Sequence, residues 1–322
     1  MDKRILCKRF KKGCLVLIIP GLIFLIWFTF RLIAMMPRIS FENTENDTLA
    51  VIPLSIHKQK CWVSFRPDES GRLLNCILDI GNNTDCFRVQ ADDMDYLEEL
   101  GLLEKSSRWL APFPTHSGLK KYSRGMELFR TYKVGQIPVN PNNTIKGAYF
   151  VEAKENECSL IGINLIINQL VEFSKKDSAM RIHKVIPPDY SHFINMKIDT
   201  QKFLHYIRRY DIQMEINGHT YWFFMDTGES TTAVKMPLSD SQYAKGDLEE
   251  GVVSLSSGND TGTRRVKYEK SAFIKVDGKE YRKSIRYTEM TGQETPYVMN
   301  PVLFFDEDFL LDFKDLRIWF KE

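Results

Sequence analysis

The chain has little net charge and lacks any cysteine or histidine spacing typical of a metal site. Its 44 basic and 42 acidic side chains leave a formal charge of +2, and no basic stripe occurs beyond the amino terminus, which argues against nucleic acid as a partner. The six cysteines form no CxxC pair, and the six histidines are scattered singly, so no zinc motif is present. Hydrophobic residues make up 43% of the 322 residues, enough for one large domain or two medium ones.

Long hydrophobic runs are equally scarce, and the single example follows the one cluster of basic residues. Residues 13–30 contain no charged side chain, and a run of this length is just enough to span a bilayer. Because the basic residues precede it, the positive-inside rule predicts a cytoplasmic segment 1–12, a transmembrane signal anchor 13–36 and an extracytoplasmic remainder, periplasmic in a Gram-negative cell. A cleaved signal peptide and a buried core helix are the alternatives.

The rest of the chain shows the pattern of a mainly β protein. From Leu49 onward, short runs rich in β-branched and aromatic residues alternate with clusters of Gly, Asn and Asp, as strands alternate with turns. Helical spacing occurs in Met94–Leu103 and Leu165–Phe173, and Gln201–Arg209 is ambiguous between helix and strand. Two dipeptides favour type I′ hairpin turns. They are Asn217-Gly218 and Asp277-Gly278.

The chain repeats one order of features on either side of a predicted interlobe linker at residues 177–189. In each part a hairpin precedes an apolar strand that ends in Asp-x-Gly, and a Gly-bearing polar segment, paired strands and a second apolar segment follow. This ordered parallel predicts a duplicated β-domain. The predicted division of the chain is then a linker at residues 37–50, a first lobe at 51–176 and a second lobe at 190–322. The two Asp-x-Gly motifs are Asp79-Ile80-Gly81 and Asp226-Thr227-Gly228.

These features resemble the pepsin and retropepsin superfamily of aspartic proteases, in the form of bilobal bacterial aspartyl-protease-like proteins. The resemblance implies two β-barrel-like lobes with a cleft between them, Asp79 and Asp226 as the catalytic pair, and neither a cofactor nor a metal ion. The residues that it implies for the loops around the pair are Ile80, Gly81, Asn82, Thr227, Gly228 and Glu229. Those implied beneath the loops are Ile161, Gly162, Met299 and Asn300. Gly118 and Gly258 are then candidate flap tips, although exposed loops are the plainer interpretation.

The leading hypothesis is a membrane-anchored aspartic endopeptidase. Two carboxylates about 3 Å apart cannot both ionise, so the pair shares a proton and can activate a water against a peptide bond. Its partners would be a polypeptide substrate and, through residues 13–36, a membrane. Dimerisation is not required, because one chain supplies both aspartates.

Three departures from the family pattern favour an alternative hypothesis, an inactive peptide-binding or scaffold module of the cell envelope. Ile80 lacks the hydroxyl usual in the first motif, Glu229 could add negative charge near the pair, and Asn300 stands where a glycine is expected and would crowd the packing. A third hypothesis is an unrelated all-β adhesion-type domain, in which the two motifs are ordinary β-turns.

The four cysteines beyond the hydrophobic run would lie in a compartment where disulfides persist. Cys76 and Cys86 flank Asp79 closely enough for a local bridge. The other interpretation is that the cysteines are small buried hydrophobic residues. The four are Cys61, Cys76, Cys86 and Cys158.

Overall fold

The computed structural model describes residues 21–24, 46–81, 86–106, 132–140, 143–152, 158–200, 208–228, 232–257, 260–290 and 296–322. Residues 1–38 form one compact unit and residues 39–322 another. The second unit is mainly β, as the sequence predicts.

We call strands β1 to β10 the first half and strands β11 to β20 the second half. Within the described residues the first half contains β1 (Thr48–His57), β2 (Lys60–Phe65), β3 (Leu74–Asp79), β4 (Cys86–Val89), β5 (Leu103–Ser106), β6 (Tyr132–Asn140), β7 (Asn143–Glu152), β8 (Leu160–Gly162), β9 (Leu170–Ser174) and β10 (Ala179–His183). The second half contains β11 (Tyr190–Thr200), β12 (Arg208–Ile216), β13 (His219–Met225), β14 (Val234–Pro237), β15 (Leu248–Ser257), β16 (Asp260–Val276), β17 (Lys279–Thr288), β18 (Val298–Met299), β19 (Phe309–Asp312) and β20 (Arg317–Lys321). The helices described in residues 39–322 are α1 (Ala91–Glu99), α2 (Pro301–Phe304) and the 3₁₀ segments Ile163–Leu165 and Leu238–Tyr243.

Local sequence explains many of these strands and turns. In β2 every second side chain is buried, as a strand with one face on the core requires. Asn217 and Gly218 have φ values of 55° and 88°, so the predicted type I′ turn joins β12 to β13. Asp277 and Gly278, at 48° and 82°, form the predicted turn between β16 and β17.

The two halves share one pattern of strand pairing. β3 pairs in parallel with β8, and β13 pairs in parallel with β18. β4 pairs in parallel with β7 and antiparallel to β8, and β14 pairs in the same two ways with β17 and β18. Each strand of the second half therefore has a counterpart ten strands earlier, which agrees with the repeated order of features in the sequence.

A six-stranded antiparallel sheet joins the halves, in the order β1, β10, β9, β19, β20, β11. Its middle is the pairing of β9 with β19, where Phe173 lies opposite Phe309. The two rings stack with their centroids 5.0 Å apart, and both side chains are fully buried. The halves are thus continuous through backbone hydrogen bonds as well as through a common core.

The helix predicted over Leu165–Phe173 is wrong. The chain forms a short 3₁₀ turn there and then enters β9, whose last four residues are all buried. Both faces of β9 are buried, and even its Glu172 and Ser174 lie in the interior. A short strand with apolar residues on both faces cannot be distinguished from a buried helix by periodicity. The helix predicted over Met94–Leu103 exists as α1, which begins earlier and ends at Glu99.

The two predicted linkers both contain parts of strands. β10 lies within residues 177–189, and its Met180 and Ile182 are fully buried between β1 and β9. β1 begins at Thr48, inside residues 37–50. The sequence did not predict these strands for two reasons. Polar residues and prolines flank them, and the strands that pair with them lie far away in the sequence.

The cysteines with described side chains are unpaired. Cys61 and Cys76 are free and buried, whereas Cys158 is free and exposed. A Cys76–Cys86 bridge is therefore absent, and Cys61 and Cys76 act as small core residues. Burial raises the pKa of the Cys61 thiol to about 12, which keeps it protonated and unreactive.

Most of the predicted transmembrane segment 13–36 lies outside the described residues. Residues 21–24 are helical, and Leu22 and Ile23 are 52% and 62% exposed. Among the residues that the structure describes, no helix has the length and apolarity needed to cross a bilayer.

Candidate functional site

Each aspartate of the two Asp-x-Gly motifs stands at the end of a central strand. Asp79 ends β3 and lies opposite Gly162 of β8 in the parallel register. Asp226 follows β13, and its backbone N–H donates to the carbonyl of Met299 in β18 at 2.9 Å. The strand pairing thus places both aspartates at equivalent points, with Ile161 and Met299 on the neighbouring strands.

The two aspartate loops meet, and the glycine of each loop lies against the carboxyl group of the other. A Cβ placed on Gly81 would stand 2.5 Å from Cγ of Asp226, and one on Gly228 would stand 2.6 Å from Cγ of Asp79. Real Cβ atoms do not approach so closely, so only glycine permits this contact. We call Asp79 and Asp226 the aspartate pair.

Thr227 ties the second loop to the first. Its hydroxyl accepts a hydrogen bond from the backbone N–H of Ile80 at 3.0 Å and donates to the carbonyl of Leu78. Thr227 is fully buried. Ile80 has no hydroxyl group and cannot make the equivalent side-chain hydrogen bonds to the second loop. In these contacts, therefore, only the second loop contributes a side chain.

The aspartate pair is electrostatically coupled. Burial raises the pKa of Asp79 well above its ordinary value, and the negative charge of Asp226 and a hydrogen bond between the two carboxyl groups raise it further. A hydrogen bond from the backbone of Gly81 and the charge of Arg88 oppose this rise. The Asp226 carboxyl group accepts a hydrogen bond from the N–H of Gly228 at 2.7 Å. The pair is therefore suited to holding one proton.

Oδ1 of Asp79 is buried and has no hydrogen-bond partner in the described part of the structure. A buried carboxyl oxygen without a partner is costly. A protonated carboxyl group bears this cost more easily than a carboxylate does, which agrees with the raised pKa of Asp79.

The prediction that Asn300 crowds the packing is wrong. The side chain is fully buried and caps α2, accepting hydrogen bonds from the N–H groups of Val302 and Leu303. Its amide group donates to the carbonyl of Thr227 at 3.3 Å. The residue is thus accommodated because each polar atom of its side chain has a partner.

Arg88 was missed by the sequence interpretation, although its charge acts on Asp79. A signal was present: Arg88 follows Asp79 by 88 − 79 = 9 residues, and Lys235 follows Asp226 by 235 − 226 = 9 residues. The two occupy equivalent positions in the strand pairing, opposite Leu160 and Val298.

Four predicted site residues lie outside the described residues, namely Asn82, Gly118, Glu229 and Gly258. Their predicted roles remain predictions. Within the described residues, no cluster of three or more His, Cys, Asp or Glu side chains could hold a metal ion.

Comparison with known proteins finds a likeness in structure only. No protein-family model and no curated protein matches the chain. Among solved structures, basic 7S globulin from soybean is similar over 88% of this chain and 95% of its own, with 11% sequence identity and a TM-score of 0.45. A likeness at this level assigns neither an activity nor a ligand.

Proposed function

We propose that the chain is a membrane-anchored aspartic endopeptidase of the pepsin and retropepsin type. The observation that supports this most strongly is the contact between the two aspartate loops, in which each glycine lies against the opposite carboxyl group. On this proposal residues 51–176 and 190–322 are the two lobes, and an extended polypeptide binds between them.

The proposed reaction needs one proton on the aspartate pair. Asp79 keeps the shared proton because its pKa is raised, so Asp226 is the ionised member and takes a proton from a water as that water attacks the peptide carbonyl carbon. Asp79, whose pKa is raised, donates its proton to the carbonyl oxygen. The tetrahedral intermediate then collapses: Asp226 passes its proton to the leaving nitrogen, the C–N bond breaks, and a hydroxyl proton returns to Asp79.

The test is cleavage of a peptide library by the full chain in detergent micelles, between about pH 3 and 7. The matched variants are Asp79→Asn and Asp226→Asn, which keep the size of each side chain while removing its proton chemistry. We expect cleavage by the wild type alone. Absence of cleavage by the wild type, or equal cleavage by both variants, would contradict the proposal.

The second candidate function is peptide binding without hydrolysis. The observation that favours it is the missing hydroxyl at Ile80, which leaves the two loops tied from one side only. A peptide that is retained by the wild type and recovered intact after long incubation would favour this function. Rapid appearance of two product fragments would exclude it.

Membrane anchoring is proposed from the sequence of residues 13–36, with the amino terminus cytoplasmic and the remainder outside. The exposed apolar side chains of Leu22 and Ile23 in the helical segment are compatible with it. We expect the full chain to stay in the membrane pellet after alkaline carbonate washing and residues 39–322 alone to be released. Release of both would contradict anchoring.

A further inference from the structure

Asn300 occupies the position that glycine holds in the first half. Gly162 lies opposite Asp79 in the pairing of β3 with β8, whereas in the second half the register pairs Met225 with Met299. Asn300 is the next residue and is therefore the counterpart of Gly162. It is fully buried directly beneath the Asp226 loop.

The hydrogen bonds of Asn300 define the orientation of its side-chain amide. The oxygen Oδ1 receives the N–H groups of Val302 at 3.1 Å and Leu303 at 3.3 Å. Only the amide oxygen can accept hydrogen bonds from these two N–H groups, so the nitrogen Nδ2 faces the carbonyl of Thr227. The backbone N–H of Asn300 also donates to the carbonyl of Ala233 at 2.9 Å. One residue thus links the start of α2 to the peptide group of the loop that carries Asp226.

The hydrogen bond from Asn300 reaches the loop that contacts the Asp79 loop through the Thr227 hydroxyl. A hydroxyl at position 80 could reach back to the Thr227 loop, but Ile80 has none. The Asn300 amide supplies a second hydrogen bond to the same residue from the opposite side. Thr227 is consequently held by its hydroxyl toward the first half and by its carbonyl toward α2.

We infer that Asn300 is a positioning residue for the aspartate pair, and that its amide, by fixing the Thr227 loop within the second half, compensates for the missing hydroxyl at position 80. The kinetic consequence rests on the proposed peptidase function, whereas the effect on the aspartate pair does not. Asn300 makes no contact with substrate in this scheme. It acts through Thr227 on the distance and orientation of Asp226 relative to Asp79.

Two substitutions separate this role from helix capping. Asn300→Ser keeps an oxygen that can cap α2, since serine and asparagine are comparable caps, but is too short to reach the Thr227 carbonyl. Asn300→Gly removes both contacts. Ile80→Thr introduces the hydroxyl and is combined with Asn300→Ser.

In the full chain we expect Asn300→Ser to lower kcat about tenfold with KM nearly unchanged, since one positioning hydrogen bond is worth roughly this factor. Asn300→Gly should lower kcat equally and reduce the stability further. Adding Ile80→Thr to Asn300→Ser should restore most of the lost kcat, whereas Ile80→Thr alone should raise it little.

A titration of the two carboxyl groups by carbon NMR tests the inference without turnover. We expect Asn300→Ser to shift the apparent pKa values of the aspartate pair and Ile80→Thr to reverse the shift. Unchanged pKa values together with wild-type kcat would overturn the inference, as would an effect of Asn300→Gly that Asn300→Ser lacks entirely. A wild type that cleaves nothing but shows the reversible pKa shift would overturn the proposed function and leave this inference standing.

Discussion

Glycine is required beside each aspartate because any side chain there would occupy the space of the opposite carboxyl group. We expect Gly81→Ala to lower cleavage by at least about 100-fold, since its methyl group would displace Asp226 by an ångström or more. Steady-state cleavage assays measure this effect. The control is Gly101→Ala, which meets no atom within 4 Å and carries a φ of 68°. It should cost about 1 kcal/mol of stability and leave cleavage unchanged.

Removal of the Asp226 charge should be visible at Asp79. Burial and the charge of Asp226 together raise the pKa of Asp79, so we expect Asp226→Asn to lower that pKa while leaving it above its ordinary value. A carbon NMR titration of the Asp79 carboxyl measures the change. An unchanged Asp79 pKa in this variant would show that the two carboxyl groups do not interact.

The same pKa determines how the pair affects stability. An acid whose pKa is raised by folding stabilises the folded chain fully below its unfolded pKa of 3.8 and loses that contribution as the pH rises toward the folded value. We therefore expect Asp79→Asn to increase the free energy of unfolding at pH 7 and not at pH 3. Urea unfolding at the two pH values checks this, and an equal effect at both would contradict it.

At the scale of elements, the pairing of β9 with β19 holds the two halves together. Phe173 and Phe309 stack across it, fully buried, so we expect Phe309→Ala to lower the free energy of unfolding by about 3–5 kcal/mol. Phe273→Ala is the matched control, because Phe273 is 50% exposed beside Arg282, and we expect it to cost about 1 kcal/mol. If urea unfolding shows the same loss of unfolding free energy for both variants, the pairing of β9 with β19 contributes no more to stability than an exposed ring does.

At the scale of the whole molecule, one buried carboxylate binds polar side chains from both halves. Glu172 of β9 is paired with Arg181 and His183 of β10 and with Lys321 of β20 at 3.2, 2.7 and 3.1 Å. Burial by itself would raise the pKa of Glu172. Hydrogen bonds from His183 and Lys321, with the charges of Lys321 and Arg181, outweigh burial and lower it to about 2.

This cluster predicts a loss of stability in acid. A carboxylate whose pKa is lowered by folding stabilises the folded chain above its unfolded pKa of 4.5, and the contribution disappears as the pH falls from there toward about 2. We expect it to amount to about 2 kcal/mol, allowing for screening of the partly exposed cations. Glu172→Gln should weaken the protein at pH 7 and flatten the dependence of its stability on pH between these values.

The control for that prediction is Glu250→Gln. The Glu250 side chain is 79% exposed in its pair with Lys267, and such pairs contribute little. Chemical unfolding across the acid range compares the two variants. The same pH dependence in Glu172→Gln and in the wild type would remove Glu172 as the cause.

The sequence by itself determined the features that depend on near neighbours. Three features can be predicted because each depends on a few adjacent residues. They are the alternating burial, the Asn-Gly and Asp-Gly turns, and the repeated Asp-x-Gly motif. The equivalence of Asp79 and Asp226 also followed from their order in the chain.

Only the tertiary structure decided what depends on distant partners. It showed that the Leu165–Phe173 run contains β9, that Asn300 finds a partner for each polar atom, and that Glu172 meets Lys321. These outcomes rest on pairings across more than a hundred residues in some cases, as for Glu172 and Lys321, and no local pattern encodes them.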